Sequence, residues 1–296
     1  MLEWKPRRFL GISIGIGVIV ALVLLDGLIL RGLRSLPLSF TSFVMALTLA
    51  LSVLLAALAS YLVYGVLTLK YMMGRDGVFV LWAGRQETIP LAAIQAVVWL
   101  TEEGESITRP RLRLPGHCIG KGLDAGGREV QFYSTGRGAD ELLITTDLHS
   151  YVISPDNPTG FLSAVRARRR LGPTRSLEQT RREGGLAGLA IWRDWKALSL
   201  VTVAIVANVS LFAYIAFRYP ALPEIVPLLS ESGQVRLLGA KEELFELPAL
   251  GLVVLLGNTV LGFALHRWER PVTYALGAVA LFVQIIAWWA AISVMG

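Results

Sequence analysis

The sequence predicts a membrane protein, an α-helical transmembrane bundle of five spans with a water-soluble α+β domain inserted between the second and third. Three observations predict it. The 296 residues are 54% hydrophobic and only 17% charged, with a mean hydropathy of +0.58, whereas soluble domains carry about 25% charged residues. Five apolar segments each approach the roughly 20 residues that a helix needs to cross a hydrocarbon core of about 30 Å. Between the second and third of these lies a stretch of short alternating runs broken by turn dipeptides, long enough for one soluble domain.

The first span is read at residues 9–30, apolar except for Asp26. The opening MLEWKPRRF and the apolar run after it have the outline of a secretory leader. The run continues to Leu25 with no clean small-x-small cleavage site, so it is read as a retained span. The second span, residues 39–69, contains no charged residue. A helix that long exceeds the hydrocarbon core at about 1.5 Å per residue, so it must tilt, protrude or end outside the membrane. The connection RGLRSLPLS, with Pro37, suits a tight reversal. Residues 1–70 thus form an N-terminal two-helix hairpin.

After Lys70 the pattern changes to strand runs. Asp76-Gly77 is the strongest hairpin signal, and residues 128–134, 141–146 and 150–154 read as further strands. Asn157 can cap a helix whose first turn admits Pro158, which closes a soluble domain at 71–171. Residues 172–196 read as a basic linker with an interfacial lead-in helix around GLAGLAIW. The C-terminal region, 197–296, supplies spans at 197–217, 247–265 and 272–294, with a polar outer loop at 218–246.

Charge sets the expected orientation. Arg166, Arg168, Arg169, Arg170, Arg181 and Arg182 belong to a basic tract just ahead of the third span, and cytoplasmic segments carry the excess of Lys and Arg. That places the N-terminus and the soluble domain in the cytoplasm and the C-terminus outside, in a multi-pass plasma (inner) membrane protein. Trp192, Trp195, Trp268, Trp288 and Trp289 fall near the span ends, where indole rings prefer to lie, although Trp288 and Trp289 equally suit helix packing. Gly11, Gly15 and Gly17 allow close helix approach, within one bundle or across a homo-oligomer. The single cysteine, Cys118, excludes an intrachain disulfide framework.

The runs LPGHCIGKG, REVQFYST and ELLITTDLHSYVISPDNPTGFLSAV, and more loosely DGVFVLWAGRQETIPLAAIQAV, resemble the bacterial pleckstrin-homology (PH-like) domains that are fused to membrane helices. The resemblance implies a seven-stranded, bent antiparallel β-sandwich or barrel, capped by one C-terminal helix. A weaker resemblance runs through Pro223, Pro227, Gly233 and Leu247-Pro248 to a motif, LP-x-x-IP-x-H-x-x-x-G, that precedes a span in a family of small bacterial membrane proteins. The histidine of that motif is replaced here by leucine.

No catalytic constellation emerges. His117 and Cys118 are neighbours and point to opposite faces of a strand, so they make poor co-ligands. GKGLDAGG lacks the spacing of a phosphate-binding loop, and GxSxG and HExxH are absent. Neither metal nor cofactor is expected. Arg109, Arg111 and Arg113 alternate, which on a strand puts three guanidinium groups on one face and suggests an anion or lipid-headgroup contact. Lipid-binding PH domains carry a dense basic motif in the loop joining their first two strands, and the loop here is only GRDG. The basic tract adjoins a span, so anionic inner-leaflet lipid is its nearer partner than nucleic acid. Asp26 is the one ionisable residue inside an apolar span, a functional candidate by position. Close to the outer boundary it can also meet water, Arg31 or Arg34. The expected function is a non-catalytic binding, scaffolding or regulatory module at the inner leaflet, with a protein or lipid partner. The alternative is a small transporter or signal-sensing regulator using the spans and Asp26.

Overall fold

The chain opens with a strand, β1 (Leu2–Trp4), and two long helices, α1 (Phe9–Leu33) and α2 (Phe40–Thr68). A computed structural model describes residues 1–103, 107–111, 113–136, 140–184, 188–229 and 235–295. Beyond α2 come β2 (Lys70–Met73), β3 (Gly77–Trp82), β4 (Arg85–Pro90), β5 (Ile94–Trp99), α3 (Leu100–Glu103), β6 (Cys118–Leu123), β7 (Glu129–Ser134), β8 (Leu142–Thr146), β9 (Ser150–Ile153), α4 (Pro158–Leu171) and β10 (Thr180–Arg182). The remainder is α5 (Trp195–Arg218), β11 (Ile225–Leu229), β12 (Val235–Ala240), α6 (Glu246–Leu265) and α7 (Arg270–Met295). The five expected segments are all helices long and apolar enough to cross a membrane. The chain divides into two units, Met1–Leu25 with Ser52–Gly188, and Asp26–Leu51 with Leu189–Gly296.

In the first unit, one sheet has the order β1-β2-β3-β4-β10 and the other β5-β8-β9-β7-β6. Leu69, Tyr71, Val80 and Ile89 on one side, Ile144, Tyr151 and Ile153 on the other, and Phe161 and Val165 of α4 share one core. Val130, Phe132, Leu143 and Val152 face a second cluster with Leu100 and Cys118. The second sheet is therefore covered on both faces, which explains why every residue of the run SYVI is buried instead of alternating. Tyr71 ties the sheets together: its hydroxyl donates to the Tyr133 carbonyl at 2.6 Å and accepts from the Ser154 amide at 3.2 Å. Burial is the main cause that pushes its pKa up to about 12.

Helix α4 forms as its sequence dictates. Asn157 caps it, accepting from the Gly160 amide at 2.8 Å, Pro158 occupies the first turn and Gly172 closes it at φ 73°. One expectation is corrected. An all-antiparallel sandwich is not formed, because β9 turns back from β8 and slots in parallel against β7, leaving β7 and β8 two strand spacings apart. In the region read as linker and interfacial helix, Thr180–Arg182 pair antiparallel with β4 and Ala190–Arg193 form a 3-10 turn, while residues 185–187 of GLAGLAIW lie outside the described residues. The strand is held there because Arg181 Nε lies 3.2 Å from Glu87 Oε1, a carboxylate already buried under the sheet.

The end of α2 packs on the sheets: Val66 is buried, Leu69 just beyond the helix lies within the sheet core, and the Trp82 ring lies against Gly65.

In the second unit, α5, α6 and α7 pack together through small residues. Gly277, Ala280, Ala287 and Ala291 are buried along α7, and any side chain at Gly277 would press on Leu200, the close approach expected of helices in lipid. Within the region read as a polar outer loop, β11 and β12 form an antiparallel hairpin. Gly233 of the weaker motif lies outside the described residues. Trp288 packs, donating to the Ala207 carbonyl at 2.9 Å, while Trp192, Trp195, Trp268 and Trp289 are exposed.

Candidate functional site

The hairpin of β3 and β4 turns through Ala83 and Gly84, with φ of 46° and 82°. Two successive positive values match the twist of paired strands. Glycine supports this freely, but alanine carries a cost of about 1–2 kcal/mol. The Thr68 hydroxyl at the end of α2 accepts from the Ala83 amide at 2.9 Å and fastens the strained turn to the helix.

Onto the same end of the sheet comes the N-terminal arm. Leu2–Trp4 pair with Tyr71–Met73, Pro6 bridges Pro155, the Asp156 amide donates to the Lys5 carbonyl at 2.9 Å, and Trp4 meets Phe161 edge-on at 5.3 Å. The phrase ISPDNP therefore seats the segment that leads into α1. Arg8 is drawn to the Leu69 carbonyl, where α2 ends.

Together these elements enclose a cleft of about 530 Å³. Its lining includes four cations, Lys5, Arg8, Lys70 and Arg85, against one carboxylate, Glu3, with Leu67 and Leu81 as apolar wall. The Arg85 guanidinium carbon lies 5.3 Å from the centroid of the Trp82 ring, a cation–π contact. The Nε atoms of Arg8 and Arg85 are buried and have no hydrogen-bond partner among the described residues. Lys5 and Glu3 are 4.0 Å apart and well exposed, an ion pair of little strength.

Residues 69–169 match the family model of the bacterial PH domain. The chain carries a bacterial PH domain. No curated protein and no solved structure matches the chain.

Within the PH domain, the β2–β3 loop is closed off by the chain itself. The Asp76 carboxylate accepts from the Thr174 amide at 2.6 Å, the Thr174 hydroxyl at 2.7 Å and the Arg175 amide at 3.2 Å. Those bonds, the Thr174 hydroxyl first, hold its pKa below the usual carboxylate range.

Arg109, Arg111 and Arg113 lie outside the strands, and Arg109 and Arg113 line one groove. Arg109 donates to Glu141 Oε2 at 2.8 Å, and Glu141, fully buried, also accepts from the Ser134 hydroxyl at 2.6 Å. Arg111 and Arg113 are exposed. Arg109 and Arg113 border the open groove with Pro115, Gly116 and Cys118, and burial raises the pKa of the Cys118 thiol. His117 is buried beside Trp82 at 6.4 Å between ring centroids, and burial lowers its pKa.

Of the basic tract, Arg166, Arg169, Arg170 and Arg182 are exposed. Arg168 is half-buried and Arg181 is committed to Glu87 and Glu183.

The glycines of α1 also divide. Gly11 lies against the Gly116 carbonyl and Gly15 against Val63, whereas Gly17 meets nothing. Asp26 is half-buried, and its Oδ1 has no hydrogen-bond partner among the described residues.

Sequence reasoning missed two features. One is the cleft, whose cations are singly spaced: Lys5 after β1, Arg8 before α1, Lys70 at the start of β2 and Arg85 at the start of β4. The other is a buried amide pair in the second unit. Asn208 donates to Gln284 Oε1 at 2.9 Å and to the Pro248 carbonyl at 2.9 Å, while Gln284 donates to the Gly251 carbonyl at 2.9 Å. Both side chains are satisfied, which makes them glue between helices.

Proposed function

We propose that the protein is a non-catalytic, membrane-embedded PH module that binds at the cytoplasmic leaflet and presents the domain as a docking or regulatory platform. One observation carries this reading: β1, ahead of α1, and β2, straight after α2, are adjacent strands of one sheet. A domain stitched to both helices in this way stays at the surface where they emerge. The exposed arginines of α4 and β10 support the same side, since basic groups gain about 1 kcal/mol each near an anionic leaflet. Lipids of that leaflet, a protein partner or a second copy are the fitting ligands. Photo-reactive residues at positions 86, 111 and 166 in native membranes should yield lipid adducts or one discrete protein adduct. Absence of adducts from all three would overturn the proposal.

A second reading is favoured by Asp26. A half-buried carboxylate oxygen without a donor suits a proton or ion relay through the spans. Asp26→Asn in proteoliposomes separates the two: unchanged ion flux leaves the platform reading standing, and altered flux replaces it with transport.

A further inference from the structure

The cleft between the N-terminal arm and the β3–β4 turn combines four cations with an apolar wall. We propose that it holds the phosphate of an anionic phospholipid headgroup, an assignment that rests on the leaflet-bound reading above and gives it a ligand class.

The argument begins with charge. Lys5, Arg8, Lys70 and Arg85 converge on one space with Glu3 as the only carboxylate in the lining. Arg8 and Lys70 come from the two ends that join α1 and α2 to the sheet, and Arg85 from the strand after the Ala83-Gly84 turn. Four cations against one carboxylate repel one another and call for an external counter-charge, and a phosphate oxygen is the strong acceptor that guanidinium and ammonium groups take. Trp82 holds the Arg85 guanidinium by its ring, so that donor is placed in advance.

The apolar side decides between a lipid and a soluble phosphate. Leu67, on the last turns of α2, is half exposed at 48% and lines the cleft beside Leu81. A headgroup with an acyl chain running along α2 covers both walls, while a free phosphate leaves Leu67 and Leu81 wet. The strained Ala83 conformation fits the same picture, because backbone strain collects where a ligand site must be shaped. At the Gly74–Asp76 end, in contrast, the Asp76 carboxylate is taken up by Thr174 and Arg175.

The test uses the full purified chain. Binding of phosphatidylglycerol is titrated by native mass spectrometry, with phosphatidylcholine as the neutral reference and glycerol phosphate as a soluble competitor. The wild type should prefer phosphatidylglycerol, and glycerol phosphate at equal concentration should not displace it. The double variant Lys70→Gln with Arg85→Gln should weaken phosphatidylglycerol about thirtyfold with phosphatidylcholine unchanged. Arg85→Lys should retain most of the affinity, showing that charge is read, and unchanged circular dichroism confirms that each variant is folded.

Three results would overturn the assignment. A folded double variant that binds phosphatidylglycerol like the wild type moves the site elsewhere. Equal competition by glycerol phosphate makes the ligand a soluble phosphate. No preference for phosphatidylglycerol in the wild type removes the site. If adducts still form at positions 111 or 166 in any of these cases, only the cleft has failed and the platform survives.

Discussion

Arg109 Nη2 lies 2.8 Å from Glu141 Oε2, and the Glu141 side chain is wholly buried while Arg109 stays partly open to solvent. The pair closes the rim of the PH domain where the chain passes from β7 to β8. Removing the cation takes one charged partner from a buried carboxylate. Arg109→Gln should cost about 2–3 kcal/mol in denaturant unfolding, reduced from the fully buried case by the exposure of the arginine. Adding Glu141→Gln should recover part of the loss, because the stranded charge is then gone.

Gly116 stands at φ 75° with its carbonyl against Gly11 of α1. A methyl group there meets both a disfavoured backbone and the Gly11 main chain. Gly116→Ala should destabilise the protein by about 1–3 kcal/mol. Increased hydrogen exchange at the start of α1 would locate the damage at that contact; unchanged exchange would show that the contact bears no load.

In the second unit, Gln284→Leu removes the Asn208–Gln284 bond and the Gly251 bond at once and leaves Asn208 with the Pro248 carbonyl. The expected loss is about 1–2 kcal/mol in detergent-induced unfolding, with the α-helical content of the remaining bundle unchanged. A variant as stable as the wild type would show that the amides contribute only packing.

Asp76 supplies a pH dependence with a definite sign. Its folded pKa is depressed by the Thr174 and Arg175 bonds. The stabilisation is therefore present above the unfolded aspartate value of about 3.9 and is lost as pH falls through the lower, folded value. Amide exchange at Thr174 and Arg175 should be slow at neutral pH, speed up only below the ordinary carboxylate range, and be fast at every pH in Asp76→Ala.

The sequence made legible whatever is written locally. Five helices follow from hydropathy, and α4 follows from Asn157 and Pro158, whose bonds reach only three residues along the chain. Pairings across the fold were out of reach. Arg109 and Glu141 are 32 positions apart, so the alternation of arginines pointed to a surface face although one of them is turned inward. β1 is three residues long, too short for any periodicity to register. The parallel insertion of β9 leaves no trace either, since a strand buried on both sides reads alike in either direction. The cleft was hidden for a similar reason: each of its cations is an ordinary flanking residue until the arm, the helix end and the turn are brought together.

The ladder between β1 and β2 also sets an order of events during synthesis. Leu2–Trp4 leave the ribosome well before their partners, Tyr71–Met73, which are made only after both α1 and α2. Until then the N-terminal arm has no strand to join, and its residues wait beside the translocation machinery while two helices are delivered to the bilayer. The sheet edge can be completed only behind a finished hairpin. A chain in which either helix is missed is left with an open edge, so a failure of insertion becomes an exposed strand that quality-control proteases can find.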